Sequence, residues 1–254
     1  MTRCENCGAR SDHAQELCPT CGAFMTMIPV EGAPAPEVPS LAVHARDVEE
    51  DNTGFASTGF EPWDEVLGGG LVVGSSLVFY GDPGSRKTTW AGAIADYVAS
   101  RRRGRAVYLS PEMPTALVKD TVSRVAVPRS LYIIGTERNA ANLDACLREV
   151  TRLRPRVVVY DSIQGFDTMT TDGRSIAMAG TEAAVRTTVT LARRFAAQYR
   201  HTAILISQVN KAGLPAGPFR TIHDCDVVAH LSFQKVTVKN KNRYAPTPRE
   251  AVLP

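Results

Sequence analysis

The most regular feature of the sequence is a series of short, continuously apolar runs, separated by longer segments in which apolar and polar residues mix. The runs lie at 77–80, 106–110, 131–134, 157–161 and 203–207. Continuous apolar composition is typical of parallel strands that are buried on both faces of a sheet. Helical patterns at 90–100, 139–153 and 181–198 fall between the runs. This alternation predicts an α/β fold with a doubly wound, mainly parallel sheet, which a hairpin of 227–233 and 235–239 closes.

Two local patterns support the predicted helix at 139–153. Asn139 is predicted to be its N-cap, because an asparagine side chain accepts hydrogen bonds from the first backbone N–H groups of a helix. Leu143, Leu147 and Val150 then share one face, which is the pattern of a helix packed on a core. We also predict that Cys146 and Cys225 are core thiols.

The segment from Leu77 to Thr89 carries the clearest chemical signal. An apolar strand runs into a turn rich in glycine and proline, and a helix follows it, which is the context of a phosphate-binding P-loop. The N–H groups and dipole at the helix start favour an anion, and a lysine adds a full charge. We predict that Lys87 reaches the β- and γ-phosphates of ATP and that Thr88 binds Mg²⁺. The residues predicted to hold the nucleotide are Gly81, Asp82, Pro83, Gly84, Ser85, Arg86, Lys87, Thr88, Thr89 and Asp161. The alternative is an ordinary strand–turn–helix unit with an incidental lysine.

Arg86 departs from the P-loop pattern, which has glycine immediately before the lysine. Glycine adopts backbone angles that other residues resist, and it lets a phosphate come close. Arg86 is therefore expected either to point outward or to alter the site, while the loop amides, Lys87 and Thr88 remain. Nucleotide binding follows more directly from this pattern than fast hydrolysis does.

Three polar residues follow other predicted strands, and ligands of open α/β sheets bind at the carboxyl ends of the strands. Glu112 is predicted to orient and deprotonate the attacking water, although a surface carboxylate is the alternative. Asp161 ends an apolar strand at a Walker-B-like position and is predicted to hold Mg²⁺ through water. Gln208 is predicted to sense the γ-phosphate. We therefore expect an ATPase.

Two Cys-x-x-Cys pairs lie near the N-terminus, at Cys4 and Cys7 and at Cys18 and Cys21. Two such pairs can present four thiolates to one tetrahedral ion, which predicts a closed structural Zn²⁺ site. So short a segment buries little core, and the metal would supply its folding energy. Two disulfides are the alternative. The predicted organisation is a four-cysteine zinc module at 1–27, a proline-containing linker at 28–54 and the ATPase domain at 55–254.

The composition and charge bear on the partners and the cellular compartment that we expect for the protein. The chain has 254 residues and a formal net charge of +3, so its overall charge does not require a nucleic acid partner. Local basic runs occur at 101–105 and 235–243, and most such runs are solvated faces. No apolar run approaches the length of about 20 residues that spans a membrane. The N-terminus lacks a signal-peptide pattern, so we expect a cytoplasmic protein with reduced or metal-bound cysteines.

Taken together, the motifs resemble those of the bacterial RadA/Sms family of RecA-like ATPases. The resemblance covers the cysteine module, Ser57-Thr58-Gly59, the glycine turn at 67–71, the P-loop, and Asp161-Ser162-Ile163-Gln164. It continues through Gln208-Val209-Asn210-Lys211, through Gly217-Pro218 with His223 and Asp226, and through Lys241-Asn242-Arg243-Tyr244, which is similar to the Lys-Asn-Arg-Phe motif of this family.

The resemblance implies a RecA-like core with an N-terminal zinc-ribbon-like module. It also implies a hexameric ring that uses ATP in DNA repair and recombination, moving on single-stranded DNA and extending branches. Lys241 and Arg243 would act on the phosphates bound by a neighbouring subunit, since cations stabilise a transferring phosphoryl group. The segments that follow the fourth and fifth strands would face DNA, with Arg174, Lys211 and Arg220 as phosphate contacts, although both could be plain connectors. A replicative helicase or a recombinase is an expected partner.

The sequence also departs from the family pattern. Gln208 stands where histidine is usual, Ala245 stands where glycine follows the Lys-Asn-Arg-Phe motif, and we expect a shortened form without the C-terminal Lon-protease-like domain. Two other hypotheses therefore stay open. One is a nucleotide-binding adaptor with weak hydrolysis, and the other is an ATPase of the helicase-loader type from a plasmid or phage.

Overall fold

Three short antiparallel strands form the N-terminal part of the chain. In this computed structural model, which describes residues 1–12, 16–30, 54–169, 175–209 and 224–254, they are β1 (Thr2–Cys4), β2 (Arg10–Ser11) and β3 (Met27–Pro29). The central strand β1 pairs with both of the others. Most of the predicted linker lies outside the described residues.

Alternating strands and helices build the main domain, as the apolar runs predict. In chain order they are β4 (Phe55–Ala56), α1 (Glu61–Leu67), β5 (Leu71–Val72), β6 (Ser76–Tyr80), α2 (Lys87–Arg101), β7 (Ala106–Leu109), α3 (Thr115–Ser123), β8 (Leu131–Ile134), α4 (Leu143–Leu153), β9 (Val157–Asp161), β10 (Thr168–Met169), β11 (Ser175–Ala177), α5 (Glu182–Tyr199), β12 (Thr202–Ser207), β13 (Val227–Ser232), β14 (Lys235–Val238) and β15 (Arg249–Val252). The strands expected from the apolar runs are present with bounds within one residue of those predicted.

Eight strands pair in the order β15-β14-β13-β6-β12-β9-β7-β8. The six strands from β13 to β8 are parallel, and β14 and β15 add an antiparallel edge. The predicted mainly parallel sheet with a closing hairpin is confirmed. Strand β12 lies between β6 and β9. The sheet order therefore differs from the order of the strands in the sequence.

Side chains of each central strand alternate between two cores, because successive residues of a strand point to opposite faces. In β6, Leu77 and Phe79 face the layer of α1, α2 and α3, whereas Val78 faces the layer of α4 and α5. All three are at most 1% exposed. Burial on both faces explains why this strand is a continuous apolar run.

The start of α4 differs from the prediction. Asn142, rather than Asn139, is the N-cap, and its side chain accepts a hydrogen bond from Ala145 N at 2.9 Å. Asn139 instead ends a short 3₁₀ helix in the left-handed conformation, which asparagine tolerates. The predicted buried face of this helix is correct, since Leu143, Leu147 and Val150 are all buried. Cys146 and Cys225 are likewise buried free thiols, as predicted.

His201 is a fully buried histidine between α5 and β12, and neither ring nitrogen has a hydrogen-bond partner among the described residues. Burial lowers the pKa of His201 to about 3. Below its ordinary pKa of about 6.5 the unfolded chain binds a proton that the folded chain excludes, so folding stability falls as the pH falls.

We therefore expect the free energy of unfolding to decrease between about pH 6.5 and pH 5, by up to about 1.4 kcal/mol per pH unit from this residue. Urea denaturation at several pH values measures the slope. In His201→Leu, which cannot take up the proton, the slope should be shallower by this amount. Equal slopes in both proteins would contradict the role given to His201.

Within the described residues, no helix combines the length and the apolar composition that crossing a lipid bilayer requires.

Candidate functional site

Four neighbouring parallel strands, β6, β12, β9 and β7, end at the same edge of the sheet. Each is followed or ended by a polar residue that the sequence singled out: the P-loop after β6, Gln208 after β12, Asp161 at the end of β9 and Glu112 beyond β7. Because parallel strands lie about 4.8 Å apart, these groups are held within a few strand spacings of one another. The structure therefore brings the predicted catalytic groups of this edge together.

The loop after β6 is shaped by two glycines with positive φ, Gly81 and Gly84. A Cβ on Gly81 would lie 1.9 Å from Leu231 O, so only glycine fits there. Gly84 has open space where its Cβ would be. Helix α2 begins at Lys87, so the N–H groups of its first turn have no partner within the helix and can donate to a ligand at the helix start.

The Lys87 ammonium lies over the loop. Its Nζ donates hydrogen bonds to Gly81 O at 2.6 Å, to Asp82 O at 2.8 Å and to Ser85 Oγ at 3.3 Å. Partial burial lowers the pKa of Lys87, and the carboxylates of Asp161 and Asp82 oppose that shift. The cation is thus positioned at the loop, with acceptors that a phosphate could replace.

Asp161 is a buried carboxylate that receives two hydroxyl hydrogen bonds on the same oxygen. Thr88 Oγ1 donates to Asp161 Oδ2 at 2.6 Å, and Tyr108 Oη donates to it at 2.5 Å. Burial raises the pKa of the Asp161 carboxyl, and the two hydroxyl donors oppose the shift. Sequence analysis missed Tyr108, whose role depends on β7 lying beside β9.

Glu112 faces Asp161 across the site. Its Oε1 accepts a hydrogen bond from Ser162 Oγ at 2.5 Å, and Gln208 Nε2 lies 3.4 Å from Oε1 and 3.5 Å from Oε2. These contacts orient the carboxylate toward the edge of the sheet rather than leaving it as an isolated surface group. The sequence names Ser162 only as part of the Asp161–Gln164 motif, and its contact with Glu112 was not predicted.

These residues fit a magnesium–nucleotide complex. A hydroxyl that donates its hydrogen to Asp161 still offers an oxygen lone pair to a cation, so Thr88 and Asp161 can serve one Mg²⁺ ion together. The open space above Gly84 and the first-turn N–H groups of α2 suit phosphate oxygens. Oxygen ligands, an ammonium and backbone donors form the set that this cofactor and substrate require.

Arg86 occupies the left-handed region with φ 66° and ψ 22°. Its Nη1 donates to Pro254 O at 2.6 Å, and its guanidinium lies 5.9 Å from the centroid of the Trp90 ring. The side chain therefore extends toward Pro254 and the Trp90 ring. A non-glycine residue in this region costs about 1–2 kcal/mol of backbone strain.

Lys241 and Arg243 lie at the opposite edge of the sheet. Arg243 Nη1 forms an ion pair with Asp226 Oδ1 at 3.0 Å, and Asp226 also accepts hydrogen bonds from the N–H and hydroxyl of Ser76 at the start of β6. Since Ser76 and Tyr80 are separated by about 13 Å of strand, the structure does not bring these cations to the P-loop of their own chain. Asn242 of the same segment donates to Leu67 O at 3.1 Å and ties it to α1.

The four N-terminal cysteines converge, with all their sulfur atoms within 4.8 Å of one another. Cys4 Sγ lies 3.7 Å from Cys21 Sγ, and Cys7 Sγ lies 3.6 Å from Cys18 Sγ. A tetrahedral Zn²⁺ site with Zn–S bonds of about 2.3 Å has sulfur atoms about 3.8 Å apart. All four cysteines are free thiols, so the arrangement fits a zinc ion rather than two disulfides.

Two matching turns present these thiols. Gly8 N donates to Cys4 O and Gly22 N donates to Cys18 O, both at 2.8 Å, and both glycines have positive φ. Outer contacts support the sulfur atoms: Thr26 Oγ1 lies 3.2 Å from Cys4 Sγ. Such outer hydrogen bonds orient metal ligands.

The cysteine module packs directly on the main domain. Leu17 joins the core that α4 and α5 cover, and Phe24 packs against the same core. Glu16 forms an ion pair with Arg194 of α5 at 2.5 Å, and the Arg194 guanidinium lies 5.9 Å from the Phe24 ring centroid. The module therefore has a defined packing site beside α4 and α5.

The residues predicted to contact DNA, Arg174, Lys211 and Arg220, lie outside the described residues, as do Asn210, Gly217, Pro218 and His223 of the family motifs.

Comparison with known proteins agrees with this geometry. The chain is 32% identical over 241 residues to the DNA repair protein RadA of Pseudomonas aeruginosa, covering 91% of this chain and 51% of that protein. It is 28% identical over 259 residues to RadA of Aquifex aeolicus, covering 98% of this chain and 56% of that protein. By sequence, this chain is similar to RadA. The predicted resemblance is confirmed.

The chain spans about half the length of the curated RadA proteins that it matches. No protein-family model matches it. Its fold matches that of a KaiC-like protein from the archaeon Pyrococcus horikoshii, with a TM-score of 0.60 and 18% sequence identity, covering 79% of this chain and 94% of that chain. The predicted RecA-like fold is thereby confirmed.

Proposed function

We propose that this chain is a DNA-dependent ATPase that acts in DNA repair and couples hydrolysis to movement on single-stranded DNA. The observation that carries the proposal is the joint placement of Lys87, Thr88, Asp161 and Glu112 at the ends of neighbouring parallel strands. An anion-binding loop, a cation site and a carboxylate base are the parts that phosphoryl transfer to water requires. The RadA relatives, which are named as DNA repair proteins, support the DNA-linked role.

Each residue has a distinct task in this proposal. Lys87 exchanges its loop carbonyls for phosphate oxygens, and the first-turn amides of α2 hold the same oxygens. Thr88 and Asp161 would hold Mg²⁺, which would supply positive charge to stabilise the phosphates. Glu112, fixed by Ser162, orients a water molecule and accepts its proton, while Gln208 lies beside that carboxylate to sense the γ-phosphate.

We further propose that Lys241 and Arg243 act on the nucleotide of another subunit. Both stand at the edge of the sheet far from the P-loop of their own chain, so a catalytic role for them requires a neighbouring copy in a ring. Arg243 would then exchange Asp226 for a phosphate of the neighbour's nucleotide. The contacts to DNA are proposed to come from Arg174, Lys211 and Arg220.

The test is ATP turnover by the zinc-loaded full chain with and without single-stranded DNA, alongside its mass in solution with and without nucleotide. We expect DNA to raise turnover and nucleotide to favour a ring. Turnover that is absent with every DNA tested would overturn the proposal. Lys87→Ala is the matched control, since it removes the ammonium without touching the carboxylates.

A second candidate is a nucleotide-responsive adaptor with slow hydrolysis, whose cysteine module docks a protein partner such as a replicative helicase. The left-handed Arg86 favours it, because a strained residue with a Cβ stands where the loop closes on phosphate. The cysteine module is joined to α5 through the ion pair of Glu16 and Arg194, so a partner bound to the module could influence the ATPase domain through this contact.

Replacement of Arg86 distinguishes the two candidates. If the chain is the adaptor, Arg86→Gly should raise ATP turnover by up to about tenfold, because glycine lets the loop close on the transferring phosphate and about 1.4 kcal/mol of barrier corresponds to tenfold. If it is the DNA-dependent ATPase, the same substitution should change turnover little. Steady-state hydrolysis measures the effect. Arg86→Ala is the control that removes the guanidinium but keeps the Cβ, and its turnover should stay near that of the natural chain. If both variants behave alike, backbone strain at this position does not limit the reaction.

A further inference from the structure

Gln164 lies in the tight turn that follows β9. The turn is closed by Gly165 N, which donates a hydrogen bond to Ser162 O at 3.1 Å. It is also tied to β12, because Ile163 N donates to Ile206 O at 2.9 Å. The turn therefore has a fixed position between the end of β9 and the end of β12.

The side chain of Gln164 is partly buried and reaches the end of β12. Its Nε2 donates a hydrogen bond to Ser207 Oγ at 3.1 Å, and its Oε1 accepts one from Gln208 N at 3.5 Å. Ser207 is fully buried, and its hydroxyl donates to Gln208 O at 3.0 Å. The Gln164 amide therefore holds the backbone of Gln208 directly through the N–H and indirectly through Ser207.

The main chain of Gln164 meets a third segment. Its carbonyl oxygen accepts a hydrogen bond from Gly180 N at 2.7 Å. Gly180 directly precedes Thr181, which is the N-cap of α5 and accepts a hydrogen bond from Ala184 N. Gln164 thus joins the turn after β9, the end of β12 and the start of α5.

The residues beside Gln164 are the ones that contact Glu112. Gln208 Nε2 lies 3.4 Å from Glu112 Oε1, and the same oxygen accepts the hydrogen bond from Ser162 Oγ at 2.5 Å. A Cβ on Gly165 would lie only 3.3 Å from this oxygen, so the turn packs closely against the carboxylate. A shift of the turn or of Gln208 would therefore move the carboxylate as well.

We propose that Gln164 is a positioning residue for ATP hydrolysis, in a role that rests on the proposed function, where Glu112 is the base. It holds Gln208 in the orientation in which the Gln208 amide meets the carboxylate of Glu112. Small displacements of a base are costly in the transition state. Because ATP binding does not depend on the base, loss of Gln164 should lower kcat and leave KM for ATP nearly unchanged.

The same residue gives DNA a route to the reaction. The segments that follow β9 and β12 are those that we propose to contact DNA, and Gln164 joins the first residues of both to Glu112. A nucleic acid that orders these segments would thereby fix the carboxylate in its productive orientation.

The test is steady-state ATP turnover by the zinc-loaded full chain with saturating single-stranded oligothymidine, over a range of ATP concentrations. Gln164→Ala should lower kcat by about tenfold, which is the rate equivalent of one hydrogen bond, with KM for ATP within about twofold of the natural chain. Gln164→Met, which keeps the length of the side chain but has no amide, should show the same loss. Gln198→Ala is the matched control, since this exposed glutamine of α5 is outside the site, and its kcat should be unchanged.

A double-mutant cycle tests whether Gln164 acts through Gln208. If it does, Gln164→Ala/Gln208→Ala should turn over ATP at the rate of Gln208→Ala alone, because the first substitution then has nothing left to misplace. Losses that multiply would contradict this route. A normal kcat in Gln164→Met would also overturn the proposal, since the residue would then act by packing only. Thermal melting checks that each variant is folded.

The remaining outcomes separate the positioning role from the proposed function. A natural chain that hydrolyses ATP, with Gln164→Ala at equal kcat, would refute the positioning role alone. Loss of ATP affinity together with kcat in a folded Gln164→Ala would also refute it, because the residue would then maintain the shape of the nucleotide site. A natural chain without turnover would overturn the proposed function and the positioning role together.

Discussion

Replacing Glu112 by glutamine is expected to lower ATP turnover by about 10²–10⁴-fold, which is the contribution typical of a general base. The substitution keeps the shape of the side chain and an oxygen that accepts the hydrogen bond from Ser162. It removes only the ability to take a proton from water. Nucleotide binding, measured with a fluorescent ATP analogue, should therefore remain within a few-fold of the natural chain.

Glu182→Gln is the matched control for this experiment. Glu182 is an exposed carboxylate at the start of α5, where it pairs with Arg186, and it is outside the site. Its loss should leave turnover unchanged. If Glu112→Gln hydrolyses ATP at the natural rate, the base must be sought elsewhere, and a change in both binding and turnover would show that Glu112 has a structural role instead.

Removal of zinc is expected to unfold the cysteine module. The three strands of this module are two or three residues long and bury few apolar side chains, so they do not hold together by packing alone. Structural zinc supplies about 10–16 kcal/mol of apparent binding free energy in small peptides. Chelation or Cys18→Ser should therefore make residues 1–30 sensitive to protease, as mass spectrometry of the fragments would show.

The ATPase domain should remain folded but melt at a lower temperature, because the contacts of Leu17 and Phe24 with α4 and α5 are lost. Cys225→Ala is the control, since this buried thiol lies outside the cluster. It should retain one zinc ion per chain by metal analysis. A metal-free chain whose N-terminal residues resist protease as before would contradict the assignment of a structural zinc site.

The central strands were predictable because burial on both faces leaves few polar positions in them, and these lie at the strand ends. Helix α3 was not, since only Val118 and Val122 of its nine residues are buried and the periodic signal is weak. Helix α1 is a seven-residue element, too short to show a period. The start of α4 was misplaced because two asparagines three residues apart carry the same capping signal.

The part of the site that lies at the ends of apolar runs was predictable from the sequence. Lys87, Asp161 and Glu112 each follow or end an apolar run, so their meeting follows from parallel pairing alone. Tyr108 and Ser162 act through partners on neighbouring strands, and the order of strands is not encoded in any one segment. The position of Arg243 at the far edge depends on Asp226 and Ser76, which are 150 residues apart in the chain.

The position of the Lys87 ammonium has a consequence for ligand choice. Two carbonyl groups and a hydroxyl already satisfy its three N–H donors, so a single small anion such as chloride gains little by displacing them. A chain of phosphates presents many oxygens at once and reaches the amides of α2 as well. The loop thus discriminates against simple monovalent anions and favours ligands that can make several bonds at once.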